Sequence, residues 1–259
     1  MDTLSLHAKE LLDGLRTDLQ RFGEESLPMK WVVERLMSWD GECHENSVAS
    51  TIFHLLHQRL LTNLLLPVLG EHLFPAYLEI FNQCVFATDQ ILKDPDSMWF
   101  TSQSRYDLIC KSLQEVCDEL EKSFGMDVDA WRWGKTHGLL LNHSLGRVTL
   151  LKPLLCIGPF PSPGDNVTIN MGFYRHSNPF AHTVGASLRF IIDMAHLEES
   201  GFVLASGQSG HVLSTHYRDQ NDLWRKGKRL RLLGVESEAQ ADNLLLLIPG
   251  SRQSNSRTK

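Results

Sequence analysis

No apolar run in this sequence approaches the roughly 20 residues that a helical membrane span needs. The richest stretch, 60–69, is broken by Thr62, Asn63 and Pro67, so no membrane is expected among the partners. Nor does a basic segment followed by an apolar one open the chain. Asp2, His7, Lys9 and Glu10 stand there instead, which is not the pattern of an export signal. The expectation is a chain without an export address, and its compartment stays open. Net positive charge is also lacking. The formal net charge is −6, so the surface as a whole does not attract nucleic acid or anionic lipid. One local exception, Arg225, Lys226, Lys228, Arg229 and Arg231, reads as a solvated basic stretch rather than a phosphate or acidic-partner contact.

Cysteine is scarce. Cys43, Cys84, Cys110, Cys117 and Cys156 include no Cys-x-x-Cys pair. Cys110 and Cys117 fall on one helical face about 10 Å apart along the axis, beyond the roughly 7 Å between Cα atoms that a disulfide allows. The five read as small core residues, with neither a disulfide framework nor a metal site. There is no glycine-rich phosphate loop, no His-Glu-x-x-His and no RNA-binding signature. The 12 histidines do not repair that lack. His137 and His143, or His211 and His216 before Asp219, match no zinc spacing, and hydrogen-bonded structural histidines are expected. Gly207-Gln-Ser-Gly210 is not the Gly-x-Ser-x-Gly of a nucleophile elbow. It describes a tight turn whose Gln208 and Ser209 side chains can tie neighbouring loops together.

What is present is a large core, with 42% hydrophobic residues in 259, and a change of periodicity near residue 130. Before it the pattern is helical. Tyr106, Ile109, Leu113, Val116, Leu120 and Phe124 form one apolar stripe, and Gly125 follows at the C-cap position. Residues 4–19, 31–37 and 47–66 predict three more helices, the last capped by Asn46 or Ser47. Pro28 fits a first helical turn, and 73–91 predicts a further helix. After residue 130 the period shifts towards two. Val167, Ile169, Met171 and Phe173 share a face in 167–173. Leu188, Phe190, Ile192 and Met194 oppose Arg189, Ile191 and Asp193 in 188–194. Short runs at 202–205 and 244–248 suggest buried strands. Residues 217–226 suggest a short helix capped by Ser214 or Thr215, 159–164 a loop, and 251–259 a disordered polar tail. Helices first and strands after predict an α+β architecture, a helical segment 1–130 and a strand-rich segment 131–250. Burying Arg189 and Asp193 without partners would be costly, so they should be paired or line a cleft.

Several blocks, in order along nearly the whole chain, resemble one family. They are Met1-Asp-Thr-Leu-Ser5, where an aspartate and a serine open a helix, and Leu36-Met-Ser-Trp-Asp-Gly41. Trp131-Arg-Trp-Gly134 follows, with His137 and His143-Ser-Leu145. Then come Pro163-Gly-Asp-Asn-Val-Thr-Ile-Asn170 and Gly185-Ala-Ser-Leu-Arg-Phe-Ile-Ile-Asp193. The most specific is Gly207-Gln-Ser-Gly-His211 with Ser214-Thr-His-Tyr-Arg-Asp-Gln220 and Trp224. Together they resemble the C-terminal part of the large subunit of the penicillin acylase family of N-terminal nucleophile hydrolases. The resemblance implies an αββα sandwich and hydrolysis of a small-molecule amide. In such enzymes a serine freed by self-cleavage attacks the carbonyl, with its own α-amino group as base. That serine, an oxyanion asparagine and a structural calcium site lie before the matching region, and Met1 cannot replace the serine. The implied partner is therefore the N-terminal section or subunit of the same enzyme, with no cofactor held by this chain. Asp193 matches an acidic position that orients a histidine beside the nucleophile. Trp133, His137, Arg189, Gln208, Ser209, His216 and Asp219 match positions that hold strands and loops together. The alternative is a non-catalytic remnant or interaction protein on the same scaffold.

Overall fold

The computed structural model describes residues 1–26, 29–80, 82–100 and 103–232. The expected strand at 244–248, the tail 251–259 and Pro28 lie outside them. Five helices come first: α1 (Leu6–Glu25), α2 (Lys30–Met37), α3 (Val48–Leu78), α4 (Asn82–Lys93) and α5 (Arg105–Phe124). Three of them, α1, α3 and α5, start where a serine side chain takes a free N–H group of the first turn, whereas α2 starts at Met29 with no side-chain cap. Ser5 Oγ accepts from Ala8 N, Ser47 Oγ from Ser50 N, and Ser104 with Asp107 forms a reciprocal capping box. Gly125, at φ 79°, ends α5 with its N–H on the Glu121 carbonyl. The predicted stripe is the buried face: Leu108, Ile109, Leu113, Val116 and Leu120 are inaccessible and pack with Leu15, Leu19, Ile52, Leu56 and Leu60.

Two helical expectations need correction. The helix expected to stop at 66 continues past Pro67 to a kink at Gly70, where the backbone is non-helical (φ 71°, ψ 168°), and a second helical stretch runs from there to Leu78. The helix expected over 73–91 is divided between the end of α3 and α4. Moreover α3 is long and apolar enough to cross a membrane by length and composition, contrary to the reading of 60–69 alone. Ile52, Leu55, Leu56, Leu60 and Leu61 are buried against the other helices, as befits the central helix of a bundle.

Short elements follow: α6 (Trp133–Thr136), β1 (Gly138–Leu141), α7 (Lys152–Leu155), β2 (Ile157–Pro161), β3 (Gly172–Phe173), β4 (Ala181–His182), β5 (Val184–Gly185), β6 (Leu188–Ile191), β7 (Gly201–Leu204), α8 (Asn221–Arg225) and β8 (Leu230–Arg231). They form sheets ordered β2-β1-β4, β3-β5 and β6-β7-β8. β1 is antiparallel to β2 and parallel to β4, while β7 is antiparallel to both neighbours. The fold is α+β.

Local side-chain chemistry explains where the strand expectations fail. Only Gly172–Phe173 of the expected strand 167–173 pairs with another strand. Asp165 Oδ1 accepts from Val167 N and Thr168 N, each at 2.9 Å, and Asn166 bonds both backbone groups of Tyr174. Side chains thus take the groups a sheet partner would have used. The alternation is inverted: Thr168 is buried and Ile169 is 75% exposed. The predicted loop 159–164 is partly strand β2, which lies at a sheet edge, where proline is tolerated. α8 begins at Asn221 rather than 217, with Gln220 as N-cap, because Ser214, His216 and Asp219 satisfy one another in the preceding turn.

Leu113→Ala should destabilise the chain by about 2–5 kcal/mol, the usual cost of a cavity in a close-packed core. Ser104→Ala should cost about 0.5–2 kcal/mol through loss of the cap. Urea unfolding followed by far-UV circular dichroism checks both. Equal midpoints for wild type and Leu113→Ala would show that α5 is not packed as described.

Candidate functional site

Two of the sequence-selected residues meet at the junction of the helices with the strands. Trp133 and His137, one turn apart at α6, are fully buried. The Trp133 ring lies 4.2 Å from the His137 ring and 4.6 Å from that of His54 on α3, centroid to centroid. Its Nε1 donates to the Gly164 carbonyl at 2.9 Å. Gly164 has φ +82°, and a Cβ there would stand 1.9 Å from the Asn170 carbonyl oxygen, so only glycine fits. His137 donates from Nδ1 to the Ser162 carbonyl at 3.2 Å, and its ring stacks on His182 at 5.4 Å. Both residues hold strand to helix.

Around them the structure gathers residues that spacing did not reveal. His182 Nε2 donates to the Val184 carbonyl at 3.0 Å, so its Nδ1 accepts from Ser162 Oγ at 2.6 Å. A serine bonded to an imidazole invites a nucleophilic reading. Both residues are buried, however, and the adjoining cavity of about 20 Å³ admits a water molecule and no acyl group. Burial also lowers the His182 pKa to about 4, leaving a poor base. Further along, Asp89 binds two imidazoles, His57 Nε2 at 3.0 Å and His7 Nε2 at 2.7 Å. Buried Cys43, His54 and Asp165 place Sγ, Nε2 and Oδ2 within 3.7 Å of one another, and Tyr174 Oη lies 2.8 Å from His54 Nδ1. One signal was available: Ser47, Ser50 or Thr51, His54 and His57 run at helical spacing along an otherwise apolar helix, a polar stripe that must be satisfied. Cys43, Asp165 and Asp89 become visible only in space.

Arg189 does line a cleft. Its guanidinium lies over the Trp224 ring at 4.2 Å, with Nη2 donating to Asn170 Oδ1 at 2.7 Å and Nη1 to the Trp224 carbonyl. Its ion-pair partner is not a carboxylate among the described residues, and burial lowers its pKa. Asp193 lies beyond the end of β6, half-buried. Its Oδ1 caps a turn through Ala195 N at 2.9 Å and His196 N at 3.0 Å, and Oδ2 accepts nothing from the described residues. Arg189 and Asp193 are partly buried, whereas Ile191, which the alternation puts on their face, is exposed. Leu188, Phe190 and Ile192 are each 50–52% exposed and Met194 is 83% exposed.

The loop from Gly207 to Asp219 is separate from both places. A Cβ on Gly207 would stand 2.1 Å from the His216 carbonyl. Ser209 N donates to that same carbonyl, and Ser209 Oγ accepts locally from His211 N. His216 and Asp219 pair at 2.8 Å on the surface. Gln208 is exposed. The tying role expected of Gln208 and Ser209 falls instead to Gln220, whose Oε1 accepts from Leu204 N, and Asn221, whose Nδ2 donates to the Ala205 carbonyl. The basic stretch after α8 is solvent-exposed, with Lys226 on Asp222 and Arg231 on Glu199.

Burial pushes His137 well below the ordinary imidazole value, helped by His182 and His54, and takes His176 to about 3 and His182 to about 4. The unfolded chain binds these protons near pH 6.5 and the folded chain does not, so stability falls as pH drops from about 6.5 to about 4. Unfolding at pH 5 should take up on the order of three protons from this group alone. The pH dependence of the urea midpoint reads the number; a flat profile across that window would show that these imidazoles are accessible in the folded chain.

The family model described as Penicillin amidase matches residues 1–241. An acyl-homoserine lactone acylase, QuiP, of Pseudomonas fluorescens strain Pf-5 is 29% identical over 208 residues, covering 76% of this chain and 25% of the relative. The penicillin acylase 2 proenzyme of Pseudomonas sp. strain SE83 is 28% identical over 237 residues, covering 86% and 28%. A thermostable penicillin G acylase of Alcaligenes faecalis superposes with a TM-score of 0.51 at 16% identity, covering 93% of this chain and 47% of that one, a likeness of fold. The chain spans about a quarter of the length of these curated relatives. It belongs to the penicillin amidase family.

Proposed function

We propose that this chain supplies the C-terminal section of an amidohydrolase that cleaves an acyl amide, and that it works only with the section carrying the nucleophile. The observation that carries this is the apolar face of 188–194. Leu188, Phe190, Ile192 and Met194 are each at least half exposed, and among the described residues β6 is a sheet edge. An unpaired edge beside an apolar patch is a surface made to be covered. The layered sandwich of the family implies a cover of further strands. None of the groupings among the described residues provides an accessible nucleophile with a base, since Ser162–His182 is sealed. The chemistry would come from an N-terminal serine of the complementing section, attacking the carbonyl with its α-amino group, whose pKa near 8 suits proton transfer.

Two residues of this chain would face that work. Asp193, with Oδ1 engaged in its turn and Oδ2 open, would orient a histidine of the complementing section as a positioning residue. Arg189 would hold the strand against α8 beneath it. Relatives named as acylases of acyl-homoserine lactones and as a penicillin acylase point to amides of a carboxylic acid with the amine of a small heterocycle.

The chain alone should show no saturable release of acid from penicillin G or an acyl-homoserine lactone. Mixing it with a separately expressed N-terminal remainder of a family enzyme should produce turnover. Phe190→Asp should leave the urea midpoint of the isolated chain nearly unchanged, since exposed positions usually contribute within about 0.5 kcal/mol, and should abolish the complementation. Saturable hydrolysis by the isolated chain that a point mutation in it removes would refute the proposal.

A further inference from the structure

The geometry points to a buried zinc site at Cys43, His54 and Asp165. The three come from different parts of the chain: the turn before α3, α3 itself, and the turn after β2. Their donor atoms form a nearly equilateral triangle. Cys43 Sγ lies 3.6 Å from His54 Nε2 and 3.7 Å from Asp165 Oδ2, and the last two are 3.7 Å apart. Tetrahedral zinc with bonds of about 2.3 Å to sulfur and 2.0–2.2 Å to nitrogen and oxygen requires edges of about 3.3–3.6 Å. The triangle is therefore close to the size zinc needs. It is too wide for a His54–Asp165 hydrogen bond, which should measure about 2.7–3.2 Å.

Two other readings fit less well. In a Cys–His–Asp catalytic triad the acid takes the ring nitrogen that the nucleophile does not. Here Cys43 and Asp165 both face Nε2, Tyr174 takes Nδ1, and all three donors are sealed from solvent. The neighbouring His7–His57–Asp89 group also brings three possible ligands together, but its contacts of 2.7 and 3.0 Å are those of a carboxylate between two imidazoles.

The surroundings complete the fit. With Nε2 on the metal, Nδ1–H donates to Tyr174 Oη, the outer contact that fixes a ligating imidazole. The Tyr174 phenol oxygen, 2.8 Å from Nδ1, is placed to accept. Asp165 Oδ1 is held by Val167 N and Thr168 N, which aims Oδ2 at the triangle. Cys43 N donates to the Thr3 carbonyl, and its own carbonyl accepts from Gly164 N. The donors are thus placed before any ion arrives. With three protein ligands, the fourth tetrahedral position would be taken by a water molecule. Binding releases the Cys43 thiol proton to solvent. Zn²⁺ with one thiolate, one carboxylate and a neutral imidazole leaves no net charge in a buried site. Cys43 and Asp165 are 122 residues apart, so the ion would clasp the helical half to the strand half.

The test uses the whole chain, stripped with a chelator and titrated with Zn²⁺ or Co²⁺. Wild type should bind one equivalent, and the cobalt form should show a thiolate-to-cobalt charge-transfer band with strong tetrahedral d–d bands. Cys43→Ser should lose the charge-transfer band while keeping its far-UV spectrum. Should that variant not fold, Asp165→Asn, which keeps the shape and one oxygen, should weaken binding. Tyr174→Phe should weaken zinc binding by roughly 10–100-fold, as loss of an outer-shell partner does. His57→Ala should change neither stoichiometry nor spectrum. Absence of the charge-transfer band on wild type overturns the site. So does binding that His57→Ala removes, or full zinc affinity in Tyr174→Phe.

Discussion

Two halves with different periodicities have to be joined without leaving polar groups stranded, and the buried ring of Trp133 sits at that joint. Its faces meet His54 of the bundle and His137 of the strand half, and its N–H reaches the Gly164 carbonyl. Gly164 in turn donates to Cys43, and Asp165 organises the turn that follows. A hydrogen bond to a buried group contributes about 1 kcal/mol net, but leaving a partner unmet costs about 1–3 kcal/mol. The seam is therefore an all-or-none arrangement, in which loss of one member exposes the others to the full desolvation cost. His137 and His182 sit buried in that seam, each bonded to a backbone carbonyl.

The helical half was legible because one physical signal decides it. The stripe from Tyr106 to Phe124 buries a face and stops at Gly125, and propensity, capping and packing agree there. The strand half was less legible, since its strands are short and local side-chain bonds compete with the ladder. Asp165 and Asn166 convert an alternating segment into a turn. The pattern at 188–194 was recognisable as a strand, yet its apolar side faces outward, because periodicity says which residues share a face and not which face is covered.

The same limit applies to the candidate sites. Trp133, His137 and Arg189 could be singled out from motifs, and the structure packs the first two ring against ring and lays the third over Trp224. His54 was hinted at by a polar stripe in an apolar helix. Cys43 and Asp165 were not, because their partners lie 11 and 122 residues away and no short spacing encodes them. The seam closes off the interior, while 188–194 leaves Leu188, Phe190, Ile192 and Met194 exposed.

Amide hydrogen exchange across 188–204, with and without the complementing section, tests that division of labour most directly. β7, paired on both sides, should exchange slowly in both states. β6, paired among the described residues with β7 alone, should exchange rapidly in the isolated chain and become protected by several orders of magnitude when the complementing section is added. Equal, high protection of β6 in the isolated chain, unchanged by the complementing section, would contradict the view that this edge was made to be covered.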